Sequence, residues 1–149
     1  MAIPDFLSKA AGTWHCKSSK LIMHDHPDRF CESTLKVEPA VLGRYAILSY
    51  SWKCDGKEQE GVLLLGVKKE DAVASFVDSF HTSGAIMPMR GEKTANAVSL
   101  QGSYAAPPGP DWKWRFAVSG EAGKIRFTMT NISPAGEEYP AVEAVYERK

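Results

Sequence analysis

The amino-acid sequence predicts an all-β protein, built as a single up-and-down antiparallel β-barrel of about ten strands with a short N-terminal helical turn. Apolar and polar residues alternate in short segments that tight turns separate. No segment between these strands is long enough to form the helix of a parallel crossover. Closure into a barrel removes the exposed edges of so long a meander. Residues 1–149 are treated as one domain because no linker or internal repeat divides them.

The chain begins with a short amphipathic segment, residues 4–10, which suits one or two helical turns. The first strand opens at Gly12-Thr13-Trp14, where the glycine allows the backbone to turn and the tryptophan can plug one end of a barrel. Near the C-terminus, Arg148 can lay its planar guanidinium on that indole. A cation–π contact between the first and last strands is therefore predicted.

The first strand has an irregular pattern. Trp14 and Cys16 share one parity, whereas the apolar Leu21 lies on the other. A β-bulge between the two halves would reconcile them. Residues 24–28 have the composition of a turn, and residues 29–37 form the second predicted strand.

The strongest local signal is Asp55-Gly56, a pair that favours a two-residue type I′ turn between strands at 45–53 and 57–67. Such a turn fixes the register of the two strands. The cross-strand pairs that it predicts are Ala46 with Leu65, Leu48 with Leu63 and Tyr50 with Gly61. The matched face is apolar and is assigned to the interior, where the ring of Tyr50 covers the glycine opposite.

Asp78 is predicted to point into the barrel. A turn at residues 68–71 sets the register of the next strand and brings this carboxyl group close to Tyr50. The sixth strand, residues 85–91, contains Pro88, which has no amide proton for the ladder. This strand is therefore predicted to lie at an edge or to carry a bulge.

The C-terminal third of the chain predicts the last strands of the barrel. Residues 112–118 alternate between inward aromatic and mostly basic outward side chains. A loop at 120–123 then sets the register of the eighth and ninth strands. The pairs that this loop predicts are Trp114 with Met129, Phe116 with Phe127 and Val118 with Ile125. A turn at 133–136 begins the last strand, which carries Tyr146 inward and a predicted bulge at Pro140.

Composition and charge argue against several classes of partner. Eighteen basic residues balance eighteen acidic ones, so no overall field attracts nucleic acid or an anionic membrane. Tryptophans alternate with basic residues at 112–115, but the two kinds fall on opposite faces, whereas a single-strand binder needs them on one surface. No apolar run reaches the roughly 20 residues of a membrane helix. Three scattered cysteines and the lack of a signal pattern predict a reduced, cytoplasmic protein without a disulfide framework.

No cofactor and no metal site are predicted. His24 and His26 stand two residues apart, but Pro27 turns the segment, so their rings do not share a strand face. Cys16 is expected to be a small buried apolar residue, since no histidine is placed to activate its thiol.

Short motifs are distributed over residues 12–148. They are Gly12-x-Trp14, Leu42-Gly43-Arg44-Tyr45, Gly61-x-x-Leu64-Leu65-Gly66, Phe76-x-Asp78, Pro134-x-Gly136-x-Glu138 and Tyr146-x-Arg148. With these motifs the chain resembles the calycin superfamily of lipocalins and fatty-acid-binding proteins, and within it a family of uncharacterised bacterial lipocalin-like proteins. The resemblance implies a lipocalin-like barrel with a lumen and a structural role for Gly12, Trp14 and Arg148.

The chain departs from the family pattern at three places. Phe76 stands where a tryptophan is expected, and His81 stands where small residues are more typical. Fatty-acid-binding proteins hold a carboxylate with an Arg-x-Tyr near the C-terminus, whereas this chain has Tyr146-x-Arg148. That carboxylate-binding role is therefore not carried over.

The leading hypothesis is that the lumen binds a small lipophilic molecule. It rests on an inward face that is rich in aromatic side chains and carries a few polar groups, as ligand cavities do. The residues predicted to line this site are Tyr50, Trp52, Leu63, Phe76, Asp78, Phe80, Trp114, Phe116 and Met129.

Three alternatives remain open. In a barrel enzyme, Asp78 would be the general base with Tyr50 as its partner, although a structural role for Asp78 is favoured. A pocketless interaction domain would show a small dry interior and an apolar outer patch, and the sequence leaves a homodimer open. Haem binding would require an inward His81, whereas strand parity places that histidine outward.

Overall fold

The computed structural model describes residues 2–148 and contains one short helix followed by ten strands. The elements are α1 (Asp5–Lys9), β1 (Gly12–Leu21), β2 (Arg29–Ala40), β3 (Tyr45–Cys54), β4 (Lys57–Lys68), β5 (Asp71–Asp78), β6 (Met87–Lys93), β7 (Ala97–Tyr104), β8 (Trp112–Glu121), β9 (Lys124–Ile132) and β10 (Glu138–Arg148). Each strand pairs antiparallel with its neighbours in sequence, and β1 pairs with β10 to close the barrel. The predicted all-β, up-and-down barrel with an N-terminal helical turn is confirmed.

We call the end of the barrel that carries α1 the lower end, and the opposite end the upper end. The helix covers the lower end because its apolar side chains Phe6 and Leu7 are buried there. Phe6 packs closely on the bare backbone of β8, where a Cβ added to Gly120 would lie 3.1 Å from the Phe6 ring. No helix among residues 2–148 is long and apolar enough to cross a membrane.

Arg148 ties the last strand to both the first strand and the helix. Its guanidinium carbon lies 4.5 Å from the centroid of the Trp14 ring, and the two residues are direct partners in the β1–β10 ladder. The same guanidinium donates hydrogen bonds to the carbonyl oxygens of Ala11, at 2.9 Å, and Lys9, at 2.5 Å. The Trp14 indole nitrogen donates to the Ala10 carbonyl at 2.7 Å. The predicted cation–π contact is confirmed.

Both predicted bulges lie near the seam where the barrel closes. In β1 the register with β2 shifts between Cys16 and Ser19. In β10 the register with β9 shifts between Pro140 and Val142. Extra residues at these points bend the two strands, and a barrel needs such bending to close.

The predicted registers of β3, β4 and β5 are confirmed, whereas the predicted register of the β8–β9 hairpin is wrong. Tyr50 pairs with Gly61, and Gly61 pairs with Asp78 on the next strand, as predicted. Between β8 and β9, however, the pairs are Phe116 with Met129, Val118 with Phe127 and Trp114 with Asn131. The turn holds only Ala122 and Gly123, which both adopt positive φ, so the ladder continues two residues further than a four-residue loop allows. The shift is even, and the inward faces are therefore unchanged.

The sixth strand begins at Met87, two residues later than predicted, and it is not an edge, because β5 and β7 flank it in the closed barrel. Pro88 pairs with Ser75 of β5, while the observed ladder with β7 begins only at Arg90. The proline without an amide proton therefore stands beyond the end of that ladder, where no donor is needed.

The expectation that the cysteines are unpaired is wrong for two of them. Cys31 and Cys54 form a disulfide, with their Cα atoms 5.1 Å apart. They occupy the next cross-strand position beyond the Glu32–Lys53 pair of β2 and β3. The pairing depends on this register, which the spacing of the cysteines does not reveal. Cys16 is free and buried, as expected.

Replacing Arg148 with alanine should lower the free energy of unfolding by about 1–2 kcal/mol, because the variant loses the cation–π contact and two charge-assisted hydrogen bonds at the surface. Urea denaturation followed by tryptophan fluorescence measures this loss. The control is Arg126→Ala, which removes an exposed arginine from β9. Equal stability of the two variants would show that Arg148 does not hold the barrel closed.

Candidate functional site

The residues predicted to line the lumen all belong to the interior. Eight of them are at most 9% exposed, and Phe80 is partly buried against the same core. The eight are Tyr50, Trp52, Leu63, Phe76, Asp78, Trp114, Phe116 and Met129. Their strands bring Tyr50, Trp52 and Asp78 towards the upper end of the barrel, where the polar groups of the interior gather.

The carboxylate of Asp78 is the centre of a buried hydrogen-bond cluster. Its Oδ1 accepts hydrogen bonds from the backbone amides of Phe80, at 2.6 Å, and His81. Its Oδ2 accepts a hydrogen bond from the Tyr50 hydroxyl and lies 2.9 Å from Nδ1 of His81. The Asp78 side chain is 1% exposed, so water contributes little to satisfying this charge. We call Tyr50, Asp78 and His81 the carboxylate cluster.

The backbone after Asp78 explains how the cluster forms. β5 ends at Asp78, and residues 79–84 form a turn in which the carboxylate binds the next amides, as in an Asx turn. Thr82 completes it: its hydroxyl accepts from the Asp78 amide and donates to the Asp78 carbonyl, both at 2.9 Å. The turn is not among the sequence predictions, although an aspartate at a strand end followed four residues later by threonine is a signal for it.

His81 lies inside the mouth of the barrel, and the expectation that it faces outward is wrong. Strand parity does not apply to it, because β5 ends three residues earlier. Its side chain is 14% exposed, and its ring packs 4.8 Å from the Trp114 ring and 4.9 Å from the Phe80 ring, centroid to centroid. Phe80 in turn packs edge-on against Trp52 at 5.2 Å. We call residues 79–84 the lid turn, since its aromatic rings close the upper end.

Opposing effects set the protonation of the cluster. Burial alone would raise the pKa of Asp78, but the hydrogen bonds and charge from His81, together with the Tyr50 hydroxyl, outweigh burial and hold that pKa below its ordinary value. Burial and the neighbouring Asp78 charge raise the pKa of Tyr50 well above its ordinary value. At neutral pH the pair therefore consists of a carboxylate and a neutral phenol that donates to it.

This arrangement does not favour Asp78 as a general base. The required contact with Tyr50 is present, but both carboxylate oxygens are already engaged by two groups each. A base must also bind the proton that it removes, and the lowered pKa of Asp78 weakens that ability. The geometry supports the structural role of this residue: it fixes the lid turn to the wall of the lumen.

A second polar group lies across the upper lumen from the lid turn. The hydroxyls of Ser33 and Tyr146 share a hydrogen bond of 2.5 Å. Burial raises the pKa of Tyr146 to about 12, although the Ser33 hydrogen bond opposes that rise. The nearby Ser19 hydroxyl also lowers the pKa of Tyr146. Its Oγ nevertheless forms no hydrogen bond of acceptable geometry with any of residues 2–148. We call Ser19, Ser33 and Tyr146 the hydroxyl cluster.

The sequence did not identify the hydroxyl cluster. The irregular parity of β1 predicts a bulge without locating it, and its position decides which serine faces inward. Because the bulge falls between Cys16 and Ser19, Ser19 is buried while Ser18 is exposed. The alternation of buried and exposed residues places Ser33 and Tyr146 on the inward faces of their strands, but only closure of the barrel brings the two side chains together.

The space between the two clusters is a cavity of about 20 Å³. Its lining includes the hydroxyl cluster, Tyr50 and His81 on the polar side, and apolar groups from Leu21, Trp52, Phe127, Met129 and Val142. A volume of this size holds about one water molecule. With the lid turn in place, side chains fill nearly all of the lumen, so neither haem nor a long-chain lipid fits there.

A larger groove, of about 720 Å³, lies outside the barrel along β1 and β10. The β1–β10 ladder is interrupted there between the His15–Glu147 and Lys20–Glu143 pairs. Ser33 lines both this groove and the interior cavity. Among residues 2–148 no group of three or more His, Cys, Asp or Glu side chains is arranged to hold a metal ion.

The chain belongs to the DUF1579 family, which is described as a protein of unknown function, because residues 4–148 match the model of that family. This match spans the whole barrel, from the helix to the last strand. The ten-stranded antiparallel barrel fits a calycin-like fold. No curated protein matches the chain.

Gly61→Ala should disturb the carboxylate cluster from the opposite strand. A Cβ at Gly61 would overlap the Tyr50 hydroxyl, which is buried and bound to Asp78. The control is Gly66→Ala, whose Cβ would come 2.8 Å from a ring carbon of the partly exposed Tyr45, which can swing outward. We expect Gly61→Ala to lose about 1–3 kcal/mol more of the free energy of unfolding than the control. Equal losses in urea denaturation would show that the Tyr50 position is not constrained.

Asp78 should stabilise the folded protein at neutral pH, and this contribution should be lost in acid. Because the pKa of Asp78 is lower in the folded state, its contribution to stability is present above the unfolded pKa and is lost as pH falls through the folded one. Below about pH 4, wild-type stability should therefore fall more steeply than that of Asp78→Asn, which cannot titrate there. Chemical denaturation at several pH values between about 2 and 7 measures both slopes, and parallel slopes would contradict the assignment.

Proposed function

We propose that the barrel binds a small, mostly apolar molecule in its upper lumen, beneath the lid turn. The observation that carries the proposal is the cavity between the carboxylate cluster and the hydroxyl cluster, in an interior that is otherwise apolar. Ligand sites have this composition, with apolar walls and a few placed polar groups that orient the ligand. The calycin-like resemblance of the chain supports the same location, since calycins bind ligands inside the barrel.

Binding requires the lid turn to move, because the closed cavity is much smaller than a ligand of ten or more heavy atoms. The turn is suited to such movement. Ser79 is held to β4 by hydrogen bonds with Gln59 and Glu60, so the movement falls on the part of the turn after it. That part lies outside the ladder, Ser83 and Gly84 are exposed, and the Asp78 carboxylate binds two of its amides. An entering molecule would displace the rings of Phe80 and His81 and take over their contacts with Trp52 and Trp114.

The enzyme hypothesis is the weaker proposal. It needs a base and a substrate-sized space, whereas Asp78 is saturated with hydrogen bonds and the adjoining cavity holds about one water molecule.

A cytoplasmic location also remains a proposal, and the Cys31–Cys54 disulfide argues against it because such bonds persist mainly in oxidising compartments.

Self-association is a second candidate, favoured by the outer face of β3 and β4. Tyr45, Val62 and Leu64 are between 38% and 42% exposed there, and the outward Ile47 pairs with Leu64. An apolar outer face of this kind favours contact with a second copy of the chain. Sedimentation equilibrium of the wild type and of Leu64→Glu tests this: a dimer that the charge disrupts supports a homodimer, and a monomeric wild type excludes it.

Native mass spectrometry of gently purified protein, followed by denaturing extraction, should reveal a co-purified lipophile if the lumen binds one tightly. Binding of N-phenyl-1-naphthylamine, a neutral fluorescent lipophile, gives the second measurement. Val142→Trp fills the cavity, while Val145→Trp places the same bulk on the outside of the same strand. We expect Val142→Trp to raise the probe Kd by about tenfold or more, equal to about 1.4 kcal/mol, and Val145→Trp to change it little.

The outcomes separate clearly. An extracted lipophile, or probe binding that only the inward tryptophan blocks, supports a lumen site. Probe binding that both variants reduce equally would place the probe on the surface. A clean mass with no probe binding would overturn the proposal.

A further inference from the structure

We infer that the molecule bound in the lumen carries an uncharged hydrogen-bond acceptor, such as the oxygen of a ketone, aldehyde, ester or amide, which the hydroxyl cluster recognises. The inference rests on the proposed function, because it assigns the ligand class of the same cavity. Three observations carry it: an unpartnered buried hydroxyl, a neighbouring hydroxyl pair with a free proton, and the sign of the charge across the cavity.

The first observation is Ser19. It is 6% exposed, it lines the cavity, and its Oγ has no hydrogen-bond partner among residues 2–148. A buried hydroxyl without a partner is unfavourable, and native proteins rarely retain one without a reason. Alanine would fill the same position without that cost. A group that enters the cavity and accepts the Ser19 proton would explain why a hydroxyl is placed there.

The second observation is the pair formed by Ser33 and Tyr146. Two hydroxyl groups carry two protons, but the single hydrogen bond between them, at 2.5 Å, uses only one. The pKa of Tyr146, about 12, keeps its proton in place at neutral pH. Both residues line the cavity next to Ser19. The cluster therefore offers up to two donated protons, which suits one oxygen with two lone pairs.

The third observation is the charge around the cavity, which disfavours a carboxylate ligand. Tyr50 lines the cavity and binds the Asp78 carboxylate, whose negative charge would repel an anion. The His81 imidazole also lines the cavity, but it is already paired with that carboxylate at 2.9 Å. The only ammonium group on the lining, Lys20, is already paired with Asp28 at 3.3 Å and with Glu143 at 4.0 Å, and its side chain is 37% exposed. A buried anion would thus lack a dedicated cation, whereas an uncharged carbonyl needs only the hydroxyls.

The size of the cavity agrees with this assignment. About 20 Å³ accepts one oxygen-sized group while the lid turn is in place. The apolar remainder of the molecule would lie between Leu21, Met129 and Val142 after the lid turn moves. The ligand would therefore bind with its acceptor against the hydroxyl cluster and its apolar part towards the upper end.

Acetophenone and α-methylstyrene test the inference, because they have nearly the same shape and differ in a carbonyl oxygen that a methylene group replaces. Their affinities for the wild type, for Ser19→Ala and for Ser18→Ala are measured by isothermal titration calorimetry. Ser18→Ala is the matched control, since it removes the exposed serine next to the buried one. We expect the wild type and Ser18→Ala to prefer acetophenone by about tenfold, and Ser19→Ala to lose most of that preference.

Infrared spectroscopy gives a direct readout of the same contact. The carbonyl stretch of bound, ¹³C-labelled acetophenone should move to lower frequency in the wild type and move back in Ser19→Ala, because hydrogen bonding weakens the C=O bond. The thermal midpoint of ligand-free Ser19→Ala should not fall below that of the wild type, since the variant loses no hydrogen bond between described residues. This control separates recognition from damage to the fold.

Each outcome has one meaning. If both compounds bind the wild type equally, or if Ser19→Ala leaves the preference unchanged, the hydroxyl holds a buried water only and the inference is overturned while the lumen site stands. If neither these compounds nor the naphthylamine probe bind, the proposed function itself fails, and the inference fails with it.

Discussion

Closure of the barrel between β1 and β10 is the constraint on which the rest of this structure depends. A meander of ten strands buries its edges only if the first and last strands meet, and they meet here through Trp14 and Arg148 at the lower end. Closure also requires both strands to bend, and each contains a bulge. The bulge in β1 turns Ser19 inward, and the one in β10 precedes Val142, which lines the same cavity. The devices that close the barrel therefore also shape the candidate site.

The Asp78 carboxylate has a comparable role at the upper end. A charge that is almost completely buried is unfavourable unless it is paired or hydrogen-bonded, and four groups satisfy this one. Two of those groups are amides of the lid turn, and another is the Tyr50 hydroxyl on the wall of the lumen. This ionised side chain thus helps to keep the top of the barrel closed, together with the hydrogen bonds of Ser79 to Gln59 and Glu60. This explains how a short turn outside the ladder can hold Phe80 and His81 in place.

The sequence predicts those parts of the fold that local chemistry determines. Asp55-Gly56 fixes its own turn type, so the register through Tyr50, Gly61 and Asp78 follows from hydrophobic matching. Ala122-Gly123 forms the same kind of turn, but alanine rarely adopts positive φ. The sequence therefore predicts a longer loop there, and the predicted register of the eighth and ninth strands differs by two residues from the observed one. Strand parity predicts an outward His81, but parity does not apply beyond the end of β5, and the side chain lies inside the mouth of the barrel.

The candidate site was harder to predict than the fold, since its polar groups depend on contacts distant in sequence. The Ser33–Tyr146 bond spans 113 positions. Ser19 faces the same cavity only because of where one bulge falls, and its hydroxyl has no partner among residues 2–148. A closed and nearly filled lumen also limits the affinity of any ligand: part of the binding energy must open the lid turn, and the apparent affinity falls with the population of the open state. A ligand that replaces the aromatic contacts of Phe80 and His81 while satisfying the Ser19 hydroxyl would regain most of that energy. If the lumen binds a ligand as proposed, the closed lid would favour small molecules that combine a flat apolar body with one acceptor.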